Sequence, residues 1–162
     1  MNIVVPIRLI PDLVEELAID DSGAAIDTAW LSLIINEFDN HAIEQAILLK
    51  EQGGGEVTVV APDVEGVDDV LYTAAAKGAN RLIKLSGDFE GEIGNHVFAQ
   101  VFLAAMKELQ PDLILTGVQA HNDLDGQVGP LLAEYLEMPY VGYVAGVKLE
   151  NGKATARKEY PG

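Results

Sequence analysis

The chain has 162 residues, 49% of them hydrophobic and 22% charged, enough apolar material for one core and too much for a disordered chain. Twenty-six acidic against ten basic side chains leave a formal net charge of −16, a field that repels nucleic-acid backbones and anionic membrane surfaces. There is no cysteine, which excludes disulfides, thiolate chemistry, iron–sulfur clusters and cysteine zinc sites; the longest nearly unbroken apolar run, Met138–Val147, is far shorter than the roughly 18–20 residues of a membrane helix.

The apolar run Ile3–Ile7 predicts a first strand. The amino terminus lacks the basic-then-apolar order of a secretory signal, so a cytoplasmic location is expected. Residues 8–32 are too many for an ordinary strand-to-helix loop. They read as an inserted loop or hairpin turning at Asp20-Asp21-Ser22-Gly23, between Leu17–Ile19 and Ala24–Ile26. Trp30, the only tryptophan, packs in the core or meets a partner. Phe38, Ala42, Ala46 and Leu49 then recur at helical spacing, with Asn36 placed to cap, Asp39 three residues on, and Gly53-Gly54-Gly55 to end the helix.

Val57–Ala61 predicts a second strand, Val67–Lys77 a second helix stopping at Gly78, and Arg81–Leu85 a third strand. A third helix runs from about Gly94 to Gln110 and is followed by Pro111. Leu113–Thr116 predicts a fourth strand, about Gly126 to Leu136 a fourth helix closed by Pro139, and Tyr140–Val144 a fifth strand. The tail, within residues 145–160, reads as a hairpin turning at Asn151-Gly152. Short Val/Ile-rich runs alternating with amphipathic stretches imply an α/β fold. The expected architecture is three-layered, with a doubly wound, mostly parallel sheet in a single domain over residues 1–162.

In such a sheet, ligands bind beyond the carboxyl ends of the strands, where the strand order reverses. The loops to inspect are Pro6–Arg8, Ala61–Asp63 and Gly117–Gly126. The last is long and polar and leads into Gly126-Gln127-Val128-Gly129-Pro130. Unsatisfied N–H groups at a helix start attract anions, and a glycine there lets a phosphate come close to the backbone. The competing reading is an ordinary helix capped by Asp125.

The spacing is neither a Walker loop nor Gly-x-Gly-x-x-Gly. No serine stands in a Gly-x-Ser-x-Gly elbow. His41, His96 and His121 show no metal-ligand spacing, and only His121 lies in the candidate loop. Asp20-Asp21 reads as turn chemistry. The local chemistry favours holding a nucleotide over making bonds.

Several separate stretches resemble the β subunit of electron transfer flavoprotein, in the family's order. Arg8-Leu9-Ile10-Pro11-Asp12 is similar to its Lys-x-Val-Pro-Asp, and Ile34-Ile35-Asn36-Glu37-Phe38-Asp39 to its Ile-Asn-Pro-Phe-Asp/Glu. Ala74–Arg81 is similar to its Ala-Leu-Ala-Met-Gly-Ala-Asp-Arg. Most specific are Gly117-Val118-Gln119-Ala120 and Gly126-Gln127-Val128-Gly129-Pro130. The chain departs from the family where Ile-Asp-Gly-Asp-Thr is replaced by His121-Asn122-Asp123-Leu124-Asp125, and at Pro161, where an acid is usual.

The resemblance implies a Rossmann-like, adenine-nucleotide-hydrolase-like fold holding AMP or FAD. It implies an electron transfer flavoprotein α subunit as partner, flavin dehydrogenases as electron donors, and a quinone oxidoreductase or other acceptor. Family members continue past the position of Gly162, and that segment is implied to wrap the α subunit. Carried over by position, the nucleotide contacts are Pro6, Ile7, Asn36, Ala120, Asp123, Gly126, Gln127 and Val128. Asn36 either bonds the nucleotide or only caps its helix. The expected role is therefore an electron-carrier subunit and not an enzyme. The alternatives are a stand-alone adenine-nucleotide-binding protein of universal-stress type and, with least support, a nucleotide hydrolase.

Overall fold

In a computed structural model, residues 1–14, 16–24, 26–27, 31–89, 93–150 and 152–159 are described. Trp30, Asn151 and Pro161 lie outside the described residues. Strand β1 (Asn2–Pro6) carries Ile3, Val4 and Val5, all fully buried, so both of its faces are covered. Branched side chains of this kind favour extended backbone and pack well on a pleat.

The chain then leaves the sheet. β2 (Leu9–Pro11) pairs antiparallel with β3 (Leu33–Ile35), a ribbon that ties the two ends of the excursion together. Within the excursion Ile19 bridges Ile26 across the turn the sequence places at Asp20–Gly23, where Gly23 N–H donates to the Asp20 carbonyl. The ribbon itself is an addition to the expected elements.

Helix α1 (Glu37–Gly53) buries Ala42, Ile43, Ala46, Ile47 and Leu49. Phe38, expected on that stripe, is 39% exposed, because it sits in the first turn, where the helix begins beyond the strand ends. β4 (Glu56–Pro62), α2 (Val67–Lys77), β5 (Arg81–Leu85) and α3 (Asn95–Leu109) follow, close to their expected bounds. Then come β6 (Leu113–Ile114), α4 (Val128–Leu136), and the hairpin of β7 (Val144–Glu150) and β8 (Lys153–Lys158).

Four strands pair in parallel in the order β5-β4-β1-β6. α1 and α2 bury their apolar faces against Ile3, Val5, Val57 and Val59; α3 and α4 pack on Val4 and Val60 on the opposite side. The result is three layers. Because β4 and β5 lie on one side of β1 and β6 on the other, the order reverses between β1 and β6.

The expected fifth strand is not formed. Of Tyr140–Val144, only Val144 is in a strand, and that strand belongs to the hairpin. Pro139 precedes the run, Gly142 interrupts it, and Tyr143 takes a left-handed conformation (φ 56°), which turns the chain away from the sheet. The hairpin instead docks on α1. The Gln45 side-chain amide donates to the Val147 carbonyl and accepts from the Val147 N–H, both at 3.2 Å.

Candidate functional site

The crevice begins with Pro6. β1 pairs with β4 as far as Pro6 and Val60, but with β6 only over Ile3 and Val4. The last bond on that side runs from Leu115 N–H to the Val4 carbonyl. In the alternation of a parallel strand, Pro6 faces β6 and has no N–H to offer, so the β1–β6 ladder stops there. Ile7, fully buried, turns back to β4 and donates its N–H to the Val60 carbonyl. Both side chains are therefore core, and only their backbone borders the opening.

Asp39 spans the gap. One carboxylate oxygen accepts the Arg8 N–H at 2.9 Å, and the other accepts the Gly117 N–H at 3.0 Å, joining the chain after β1 to the chain after β6. The side chain is buried. Its desolvation outweighs these hydrogen bonds and the nearby Arg8 charge, and its pKa rises from 3.8 to about 6. A Cβ on Gly117 would collide with the Asp39 carboxylate, so only glycine lets this loop lie against the start of α1.

Asn36 is the N-cap residue of α1 but does not cap it with its side chain. Its amide donates to the Gln119 carbonyl at 2.9 Å and ties α1 to the same loop. Asp39, three residues on, serves the two strand ends and closes no capping box.

Beyond Gln119 the chain makes a tight turn. Ala120, buried, and Asp123 exchange two backbone hydrogen bonds, leaving His121 and Asn122 exposed at the tip. The Asp123 carboxylate points inward. It accepts both terminal nitrogens of Arg8 at 3.1 Å, the Asn95 amide at 2.7 Å, and the Gly126 N–H. Partial burial opposes its ionisation. The Asn95 amide, the Arg8 guanidinium and the Gly126 N–H together outweigh that and hold its pKa below the usual carboxylate range. The Arg8 guanidinium lies over the Phe98 ring, 5.4 Å from its centroid.

Gly126 has a left-handed φ of 61°, and a Cβ there would collide with the Val118 carbonyl. The close approach of the Val118 carbonyl therefore admits only glycine at this position. The open donors lie one step further on. The N-cap of α4 is Gln127, which makes no side-chain cap bond, and Pro130 in the first turn has no N–H. Among the described residues, the N–H groups of Gln127, Val128 and Gly129 have no hydrogen-bond partner. Asp125 does not cap the helix; it is exposed, and its carbonyl accepts the Gln127 amide at 3.2 Å.

Pro6, Ile7, Asn36, Ala120, Asp123, Gly126, Gln127 and Val128 thus belong to the segments around the carboxyl ends of β1 and β6. Asp39, Arg8 and Asn95 complete the crevice and are absent from the sequence-derived set. Asp39 and Arg8 stand inside quoted motifs. Asn95 carried no local signal, because its role depends on where α3 begins. His41 and His96 are exposed helix residues. Among the described residues no group of three His, Asp or Glu is placed to hold a metal.

A cavity of about 860 Å³ lies next to the crevice, between the free edge of β6, the first turns of α1, α4 and the hairpin. Phe38, Thr116, Gly129 and Tyr140 line it, and it meets the crevice loop at Gly117–Gln119. It contains none of the eight sequence-derived site residues.

Fold and site together define a doubly wound α/β protein whose loops converge on the switch point of its sheet. The family model described as "Electron transfer flavoprotein domain" matches residues 26–162, and the chain belongs to that family. It is 32% identical over 160 residues to the electron transfer flavoprotein subunit beta of Clostridium acetobutylicum, covering 99% of this chain and 61% of that one. It is 34% identical to the subunit of the same name in Bacillus subtilis, covering 100% and 63%. The acryloyl-CoA reductase electron transfer subunit gamma of Anaerotignum propionicum is 33% identical, covering 91% and 56%.

The chain thus spans about three fifths of the length of the curated relatives it matches. A universal stress protein family structure from Burkholderia pseudomallei aligns at a TM-score of 0.45 and 18% identity, over 85% of this chain and 91% of that one. A likeness that weak bears on neither fold nor function. Among the described residues no helix is long and apolar enough to cross a membrane.

Proposed function

We propose that residues 1–162 act as the nucleotide-holding unit of an electron transfer flavoprotein β subunit. In this reading the chain binds AMP or FAD by the adenylate phosphate. It pairs with an α subunit and serves in the cytoplasm as a carrier of electrons from flavin dehydrogenases to a quinone oxidoreductase or other acceptor. The absence of cysteine fits a reducing compartment.

The observation that carries this reading is the uncapped start of α4 at the sheet's switch point. The N–H groups of Gln127, Val128 and Gly129 there have no hydrogen-bond partner among the described residues. Such a constellation suits an anion bound by backbone donors and a helix dipole. FAD, when bound, supplies the redox chemistry; the chain's own residues bind, orient and exclude water.

Heating the purified protein should release AMP or a flavin, identified by mass and absorbance, or else titration calorimetry should show AMP or FAD binding to the folded chain. A folded sample that releases neither and binds neither at millimolar concentration would overturn the reading.

A further inference from the structure

The Arg8–Asp123 pair occupies the place where the crevice would take an anion. Resting on the nucleotide reading above, we infer that Arg8 is the phosphate-holding cation of the site and that Asp123 is its built-in competitor. Nucleotide binding then exchanges an Arg8–carboxylate pair for an Arg8–phosphate pair.

Three observations lead there. First, of the ten basic side chains in the sequence, Arg8 is the one that the described residues place in the crevice, with only 11% of its side chain exposed. Its fork is aimed by the Phe98 ring beneath it. A guanidinium fork binds carboxylate and phosphate oxygens in the same two-point geometry. Second, the donors that meet Asp123 come from three separate elements: Arg8 after β1, Asn95 in the first turn of α3, and Gly126 before α4. Donors converging in this way form an anion cradle, and the carboxylate stands where a phosphate oxygen would.

Third, Asp123 leaves part of the cradle unused. The N–H groups of Gln127, Val128 and Gly129 have no partner among the described residues. These donors follow Gly126 directly in the chain, at the start of the helix into which the Asp123 turn leads. The displaced Asp123 sits at the end of an exposed two-residue turn and can swing into water by side-chain rotation. Its negative charge stays close to the phosphate, so the exchange costs affinity that an uncharged side chain at position 123 would not. AMP and the adenylate half of FAD share the chemistry in question, a phosphate beside an adenosine.

The test is calorimetric titration of AMP, and separately of FAD, into wild type and variants at one pH and ionic strength. Asp123→Asn is expected to bind about tenfold tighter, and Arg8→Gln about tenfold weaker, on the scale of one charge-assisted pair. Arg8→Lys, which keeps the charge but loses the fork, should fall between and covers the case of Arg8→Gln failing to fold. Asp125→Asn removes the same charge from the same loop without touching Arg8, and should gain less than about threefold from lost repulsion alone. A stronger response to AMP than to FAD identifies a terminal phosphate as the ligand; equal responses identify the shared adenylate.

Equal gains for Asp123→Asn and Asp125→Asn would overturn the exchange in favour of general repulsion. Binding by wild type with no gain in Asp123→Asn would overturn the exchange alone. Absence of binding in wild type and Asp123→Asn alike would overturn the nucleotide reading and this inference with it.

Discussion

Asp39 is the side chain on which the mouth of the crevice depends. Its two oxygens hold the chain after β1 and the chain after β6, and the whole side chain is buried. Burial raises its pKa from 3.8 to about 6, so the folded state binds a proton that the unfolded state has already lost. Between those values the fold loses stability as pH rises, and above about 6 the full cost, on the order of 3 kcal/mol, is present. Asp39→Asn carries no such titration. Urea unfolding of both proteins from pH 4 to pH 7 should therefore show the variant gaining on wild type by about 2–3 kcal/mol across that range. A pH-independent difference would show that Asp39 is not strained by burial. The comparison with the variant cancels the other carboxylates, whose repulsion falls on both proteins alike.

Helix α1 organises more of the molecule than a layer of a sandwich needs to. Its inward stripe packs on the sheet, its first turn bridges the strand ends through Asn36 and Asp39, and Gln45 on its flank holds the hairpin. The contact at its start is close enough that Gly117 admits no side chain. Gly117→Ala would force α1 and the crevice loop apart at Asp39 and Phe38. Overpacking of this kind costs about 1–3 kcal/mol, expected as a lower urea midpoint at unchanged slope. Stability within about 0.5 kcal/mol of wild type would mean that the loop relaxes freely and does not position the site. The opposite wall is built by α3 and α4, where Phe102 and Leu132 are buried and Phe98 supports Arg8.

At the scale of the whole molecule, charge governs behaviour in solution. A formal net charge of −16 on 162 residues repels itself and any anionic ligand approaching from afar. Salt screens that repulsion over about 10 Å at 0.1 M, while the largely buried Arg8–Asp123 pair is screened far less. The melting temperature is expected to rise between low and roughly half-molar sodium chloride, by about 2–4 °C for each kcal/mol of relieved repulsion. A melting temperature that falls with salt would mean that surface attractions outweigh the excess of acids.

The alternation of Val/Ile runs with amphipathic stretches was sufficient for the parallel sheet, the four helices and the hairpin. Burial on one face or two leaves a periodic mark that needs no long-range information. Gly117–Ala120 and Gly126–Pro130 likewise carried the family and marked the loop that faces the switch point. Other features were decided only by packing. The short β2–β3 ribbon, the loss of the fifth strand at Tyr143, and the exposure of Phe38 each depend on where the chain goes next in space. The roles of the polar residues depend on it most. Asn36 looks like a cap and is a tie to Gln119, Asp125 looks like a cap and is an exposed side chain, and Gly126 is required by the approach of the Val118 carbonyl. Apolar residues need only a phase of repeat to be placed. A hydrogen bond needs a partner, and Arg8, Asn95 and Asp123 find theirs across separations of up to 115 positions that only the folded chain closes.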